Sequence, residues 1–196
     1  MKSDETDKGI NSLSVDKSLK CMYTNVRSIL NNNKLEEIKV IAEERKIDII
    51  GISESWAHEG VGDAELSLKG YELFRKDRVK GVKTRGGGVL LYVKDGLSAV
   101  EINLNILGEC EALWAEIKGH NCTDITIGVC YRSPSITTAE DRILQENIKY
   151  FASKRCIIMG DFNQRDIDWE LLQACSNEGQ IFVDMVMESF LTQHVT

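Results

Sequence analysis

Apolar residues in this chain gather in short runs, some of them separated by longer amphipathic stretches. CMYTNV (21–26) reads as a first strand. Over 34–46, Leu35, Ile38, Ile41 and Ala42 recur at helical spacing and predict an amphipathic helix. IDIIGIS (47–53) is a short apolar run, as expected of a buried strand. YELFRK (71–76), GVLLYVKDG (88–96) and LSAVEINL (97–104) read as strands, some of them meeting in hairpins. EALWAEIK (111–118) alternates, with Ala112, Trp114 and Glu116 on one face and Leu113, Ala115 and Ile117 on the other. DITIGVCYR (124–132) is another strand, 137–153 a helix, and CIIMG (156–160) a strand. The last 25 or so residues read as helical, with Phe182, Val183, Val186 and Phe190 on one stripe. Strands adjacent in sequence imply antiparallel pairs, and a helix crossing between buried strands implies parallel pairing. The pattern therefore predicts an α/β protein with mixed sheets.

Composition narrows the class. At 196 residues, with 42% apolar and 28% charged residues, the chain suits one soluble domain and excludes a fibrous or wholly disordered protein. Residues 1–19 are polar, mixed in charge and without periodicity, and read as a disordered tail before a domain spanning 20–196. No apolar run is long enough to span a membrane, and the N-terminus lacks the apolar core of a secretory signal. The six cysteines form no C-x-x-C pair, which argues against a zinc ribbon or a redox dithiol. The expectation is an intracellular protein, nuclear or cytoplasmic, in a reducing compartment.

A net charge of −7 excludes a uniformly basic nucleic-acid binder but not a local patch. RKDRVKGVKTR (75–85) holds six cations, Arg75, Lys76, Arg78, Lys80, Lys83 and Arg85, against one acid. Such a segment is either a solvated hairpin or a loop that tracks a nucleic-acid backbone. Gly86, Gly87 and Gly88 follow it and suit a tight turn or a close backbone approach; no Gly-Lys-Ser/Thr follows, so a nucleotide-cradling P-loop is excluded.

Four apolar runs end in polar residues: Asn25 after CMYT, Glu54 after IDIIGIS, Tyr131 after DITIGVC, and Asp161 after CIIMG with Asn163 two places on. Ligands of helix-covered sheets gather at one end of the strands, so these residues make a candidate site. Their chemistry suits phosphodiester hydrolysis. Glu54 can hold Mg²⁺, Asp161 can orient or deprotonate water, and Asn25, Asn163 and Tyr131 can donate to phosphoryl oxygens. Each also has a plainer reading: a helix cap for Glu54, an Asx-turn for Asp161 and Asn163, a core tyrosine for Tyr131.

TNVRS (24–28), ISESW (52–56), RGGGVLLYV (85–93), VCYRSP (129–134) and GDFNQRDIDWE (160–170) resemble, in order and separation, motifs of the endonuclease domain of non-LTR retrotransposons. The resemblance is to the chicken-repeat-1 and jockey-like elements within the endonuclease/exonuclease/phosphatase superfamily. It implies a four-layer α/β sandwich of two mixed β-sheets flanked by helices, DNA as partner, and Mg²⁺ or Mn²⁺ as cofactor. It implies further that Glu54 is the metal ligand, that Asn25 lies near metal and phosphate, that Tyr131 contacts the scissile phosphate, and that Asp161 and Asn163 position the attacking water and the phosphate. In that family the domain is fused to a reverse transcriptase and ends in a strand bearing an aspartate, then Ser-Asp-His. The sequence to FLTQHVT contains neither, and His194 follows Gln193 rather than an aspartate. The expectation is therefore a sandwich missing its last strands and an impaired nuclease, or alternatively a non-catalytic nucleic-acid-binding or protein-binding remnant. A phospholipid or inositol phosphate substrate is the third reading, which the basic segment and the motif match disfavour. His58 and His120 read as solvated loop residues.

Overall fold

Parallel strands need a connection that carries the chain back, and two helices do this here. The computed structural model describes residues 18–31, 33–78, 86–103, 108–119 and 123–194. The tail up to residue 17, together with Lys80, Lys83, Arg85, His120 and Cys122, lies outside the described residues. Strand β1 (Cys21–Asn25) leads through α1 (Lys34–Arg45) to the parallel strand β2 (Ile49–Ser53). A short helix α2 (Asp63–Leu66) precedes β3 (Tyr71–Lys76) and β4 (Val89–Lys94), which pair antiparallel. Together they form a sheet of order β1-β2-β4-β3. The chain then changes sheet. β5 (Ala99–Glu101), β6 (Ala112–Ile117) and β7 (Ile125–Tyr131) are antiparallel neighbours. Helix α3 (Thr138–Ala152) returns the chain to β8 (Cys156–Asp161), parallel to β7. A two-residue ladder, β9 (Ile167–Asp168) with β10 (Gln173–Ala174), precedes α4 (Asn177–Glu188).

Both sheets are mixed, and three apolar layers order them. The odd-numbered partners on β2 and β4, Ile49, Leu91 and Val93, meet Leu113, Ala115, Ile117, Ile127 and Val129 between the sheets. Ile50, Ile52, Leu90 and Tyr92 point the other way, onto Ile38 and Ala42 of α1 and Leu66 of α2. On the far side, Ala112, Trp114 and Cys130 pack under Leu144, Ile148 and Phe151 of α3 and Phe182 and Met185 of α4. Helices, sheet, sheet and helices follow in sequence, the expected four-layer sandwich. The alternation read in 111–118 holds, with Trp114 outward and Leu113, Ala115 and Ile117 inward.

Local chemistry sets the helix ends. Thr137 caps α3 in a reciprocal box: its hydroxyl accepts from the Glu140 N–H at 3.3 Å, and Glu140 accepts from the Thr137 N–H at 2.8 Å. Ser176 caps α4, accepting from the Gly179 N–H at 2.9 Å. The C-terminal helix is shorter than the sequence pattern predicts. Phe190 lies beyond its end, with a φ of 54° and 94% exposure, and does not share the buried face of Phe182 and Val183. The 97–104 segment keeps only Ala99–Glu101 as strand among its described residues.

Trp114 stacks on Phe151 with ring centroids 4.0 Å apart, and its ring also lies against Gly128 on the neighbouring strand. A Cβ at residue 128 would overlap the Trp114 ring, which the stack prevents from moving. Gly128→Ala is expected to lower unfolding free energy by about 1–3 kcal/mol, the usual cost of overpacking. Urea unfolding followed by tryptophan fluorescence checks this; an unchanged midpoint would show that the ring can shift.

Candidate functional site

Register brings seven strand ends to one end of the sandwich. Asn25 is paired with Ser53, and Tyr131 with Asp161, so the carboxyl ends of both parallel pairs coincide there. The antiparallel neighbours bring their opposite ends to the same place. Val89 lies across from Ser53 and from Lys76, and Ala112 across from Cys130.

Asn25 is the junction. Its Nδ2 donates to Glu54 Oε1 and to Asp161 Oδ2, each at 2.8 Å. Its Oδ1 accepts from the Arg27 N–H at 3.2 Å, which orients the amide with its nitrogen toward the carboxylates. Glu54 also accepts from Trp56 Nε1 at 3.4 Å. Asp161 Oδ1 accepts from the Asn163 N–H at 3.1 Å, the Asx-turn of the plainer reading of this pair. Asn163 Nδ2 in turn donates to the Arg132 carbonyl at 2.7 Å, tying the strand-end loops of β7 and β8 together.

Glu54 and Asn163 have positive φ, 52° and 51° respectively, as does Trp56 at 56°. A left-handed backbone at residues other than glycine is uncommon and persists where surrounding contacts hold it. Here those contacts are visible. The Ser28 N–H donates to the Glu54 carbonyl at 2.8 Å, and the Trp56 N–H to the Gly87 carbonyl at 2.9 Å. Gly87 and Gly88 have φ of 74° and 80° and pass close beneath Arg78 and Ser55; a Cβ on Gly88 would sit 2.6 Å from Ser55 Oγ. The glycine run is thus a close backbone approach that fixes the Glu54 loop.

Tyr131 is 6% exposed. Burial, reinforced by the charge of Glu54 and a hydrogen bond to it, pushes its hydroxyl up to about 12, while Arg78 opposes the shift. The phenol therefore stays protonated and able to donate. Tyr23, half-buried and bonded to Ser53 Oγ at 2.6 Å, is raised mainly by its burial and further by Asp161 and Glu54. Sequence reasoning missed Tyr23, Trp56 and two ion pairs. Arg132 forms a forked pair with Asp141 of α3, at 2.8 and 3.1 Å, with both residues 8% exposed. Arg78 forms a forked pair with Glu111 and lies over the Tyr131 ring, 5.8 Å from its centroid. The nine-residue spacing from Arg132 to the first turn of α3 is a usable signal for the first pair. No local pattern signals the second.

The basic segment is changed by this view. Arg75 is not displayed to solvent. Its guanidinium is held by Asp63 at 2.8 Å and Asp77 at 2.5 Å, and by the carbonyls of Val61 and His58. Arg78 is likewise committed to Glu111. Both are structural cations in the described fold rather than displayed phosphate contacts, and Lys76 is half-buried at the site's flank. Lys80, Lys83 and Arg85 fall outside the described residues. His58 is an exposed loop residue whose Nδ1 accepts from the Gly60 N–H at 3.1 Å.

Among the described residues no group of three or more His, Cys, Asp and Glu side chains gathers to hold a metal. Two carboxylates, Glu54 and Asp161, do converge on the Asn25 amide, and such a pair suits a hard cation such as Mg²⁺, which typically takes one or two protein carboxylates. The thiols of Cys21, Cys110, Cys130, Cys156 and Cys175 are free. No described helix is long and apolar enough to cross a membrane.

Two outcomes follow from these contacts. Asp141→Ala leaves the Arg132 guanidinium buried without its partner and is expected to cost about 3–5 kcal/mol in chemical unfolding. For Tyr131, a folded-state value above the unfolded one means that stability is full below pH 10 and falls as pH rises from there toward 12. Tyr131→Phe should flatten that alkaline fall and remove one late-titrating phenol from the ultraviolet difference spectrum. An identical titration of the two proteins would mean that Tyr131 is not shielded.

The fold has relatives among solved structures. The endonuclease domain of TRAS1, a telomere-specific non-LTR retrotransposon, superposes with a TM-score of 0.61 at 15% identity, over 88% of this chain and 71% of that one. The AP endonuclease LMAP from Leishmania major gives 0.65 at 16% identity, over 87% of this chain and 66% of its own. The 3′ phosphatase NExo from Neisseria, solved as a variant bound to product DNA hairpin, gives 0.63 at 15%, over 88% and 71%. No curated protein matches the chain in sequence. The sequence pattern of one family does match, over residues 22–194 and so across every strand from β2 to β10, and by it this chain belongs to the Endonuclease/Exonuclease/phosphatase family.

Proposed function

We propose that this chain is a divalent-metal-dependent phosphodiester hydrolase acting on DNA, an endonuclease of the kind that non-LTR retrotransposons carry. The observation that supports this reading most is the bridging amide of Asn25, which gathers Glu54 and Asp161 from different sheets onto one point. Two acids around one neutral donor leave negative charge to be balanced, as a divalent cation would balance it. Glu54, with Asp161 beside it, would hold the Mg²⁺ or Mn²⁺. When bound, the cation offsets the negative charge that builds on the phosphate.

The remaining work falls to the chain's own groups. Asp161 is held by two donors and presents an acceptor that can orient a water and take its proton. Tyr131, kept protonated by its surroundings, donates to a phosphoryl oxygen as charge develops there. Asn163 keeps the Asp161 carboxylate and the Tyr131 loop in register through the Arg132 carbonyl. In the basic segment 75–85, phosphate contacts fall to the cations other than Arg75 and Arg78, which are held in ion pairs. DNA as the substrate is supported by the TRAS1 and NExo likenesses and by the motif order.

Calorimetry with Mn²⁺ on the wild type and Glu54→Gln tests the metal reading. Loss of one carboxylate is expected to weaken binding by at least about tenfold. Equal binding by the two proteins would remove Glu54 from the site. Catalysis is tested on a chain extended with a segment ending in Ser-Asp-His, in a supercoiled plasmid assay with Mg²⁺. Asp161→Ala in that background is expected to reduce nicking by about 10²–10⁴, the usual worth of a general acid–base group. Nicking that survives Asp161→Ala would assign the chemistry to other residues.

A further inference from the structure

Strand β8 ends its sheet, and one side of it has no neighbouring strand among the described residues. The bonds on its other side show which backbone groups are left over. The Thr126 N–H donates to the Arg155 carbonyl and the Arg132 N–H to the Asp161 carbonyl, each at 2.9 Å, so the odd-numbered residues of the strand face β7. The N–H and C=O groups of Cys156, Ile158 and Gly160 therefore point to the open edge. An open edge with apolar side chains is a template for another strand. Ile157 and Met159 pack between the sheets and Ile158 packs toward α3 and α4, so the strand carries no charge before Asp161. A groove of about 750 Å³ runs beside it, walled by Phe162, Trp169, Val186 and the exposed Phe190.

The sequence of this edge is complementary to itself. Two copies paired antiparallel about Ile158 set Ile158 against Ile158, and Cys156 against Gly160, where the missing side chain leaves room for the thiol. Those are the outward-facing residues, so each pair exchanges N–H···O=C bonds in both directions. The intervening pairs are Ile157 with Met159, an apolar contact, and the exposed Arg155 with Asp161, an ion pair. Sliding the register by two residues sets Asp161 against Ile157 or Ser153 and removes the charge match. Strand β1, the open edge of the other sheet, has no such match, since pairing it about Tyr23 sets Lys20 against Val26.

We propose that this face is a two-fold interface in which β8 of one copy pairs antiparallel with β8 of a second copy, bringing the partner subunit's Arg155 beside Asp161, so that each copy supplies a cation to the carboxylate pair of the other. The strand pairing covers the open edge, and the groove beside it receives apolar surface that would otherwise face water. The inference uses the edge and its register alone, and stands apart from metal binding and from cleavage.

The experiment is sedimentation velocity of the 196-residue chain across a range of concentrations, joined to amide hydrogen exchange read by NMR. A monomer–dimer equilibrium is expected. Arg155→Glu sets an acid against Asp161 and is expected to weaken the dimer at least about tenfold. Arg142→Glu, which reverses an exposed cation of α3 away from the edge, is expected to leave the dimer unchanged. Cys156→Pro removes a donor that faces the edge and that the fold does not use, and is expected to weaken the dimer by a similar factor. In the dimer the N–H groups of Cys156, Ile158 and Gly160 are expected to exchange slowly and to lose that protection on dilution, while those of Ile157, Met159 and Asp161 keep theirs. Should Cys156→Pro fail to fold by circular dichroism, Arg155→Glu decides. A monomer at every concentration, an open-ended series of larger species, a dimer indifferent to Arg155→Glu, or free exchange at Cys156, Ile158 and Gly160 within the dimer overturns the proposal. Mn²⁺ binding by a strict monomer would refute the interface and leave the metal reading standing. A dimer in a chain that binds no Mn²⁺ would do the reverse.

Discussion

One side-chain amide holds the two halves of this protein to a common purpose. Asn25 ends the edge strand of one sheet, and Asp161 ends the edge strand of the other. Sheet packing alone brings the two edges together through contacts between apolar side chains, which fix distance but not direction. The Asn25 nitrogen adds direction. It can reach both carboxylates only if β1, β2 and β8 end level with one another, which requires the register of both parallel pairs to be correct. A slip of one residue in either pair would turn the relevant side chain to the opposite face and leave a buried or half-buried carboxylate without its donor.

Around that point the loops are over-determined. Glu54 and Asn163 have left-handed backbones; the Glu54 carbonyl accepts from the Ser28 N–H, and Asn163 donates to Asp161 and to the Arg132 carbonyl. The glycines after the basic segment are small because the Ser55 hydroxyl and the Arg78 guanidinium occupy the space where side chains would be. The Arg132–Asp141 pair anchors the other flank. It places the first turn of α3 under the loop that carries Tyr131, and the Arg132 carbonyl receives Asn163. Arg132 thus joins a helix, a strand end and a site loop through one residue.

Much of the frame was legible in the sequence because its causes are local. The alternation in 111–118 and the helical spacing in 34–46 and 137–153 each report a burial pattern imposed by one neighbouring layer. The candidate residues Asn25, Glu54, Tyr131 and Asp161 were visible as polar ends of apolar runs, and the structure brings them to one end of the sandwich. What the sequence hid are pairings between distant residues. Nothing near Arg78 announces Glu111, so a run of cations reads as a displayed patch when two of its members are internal struts. Phe190 continues the helical stripe in sequence, yet the helix ends before it, because Ser189 and Phe190 close the last turn onto Met185 and Met187.

The distance along the chain between the partners of Asn25 has a consequence for how the protein comes into being. Glu54 and Asp161 stand 29 and 136 residues from it. The first contact can form once the β1–α1–β2 unit has closed, a local event. The second requires both sheets, the crossover through α3 and the docking of one edge against the other, and contacts of such separation form slowly because a long loop must be closed before they contribute. During synthesis the acids therefore remain apart until the chain has emerged beyond β8. A nascent or partly folded chain carries the Glu54 half of the constellation without the Asp161 half, so the assembled constellation is a property of the completed sandwich.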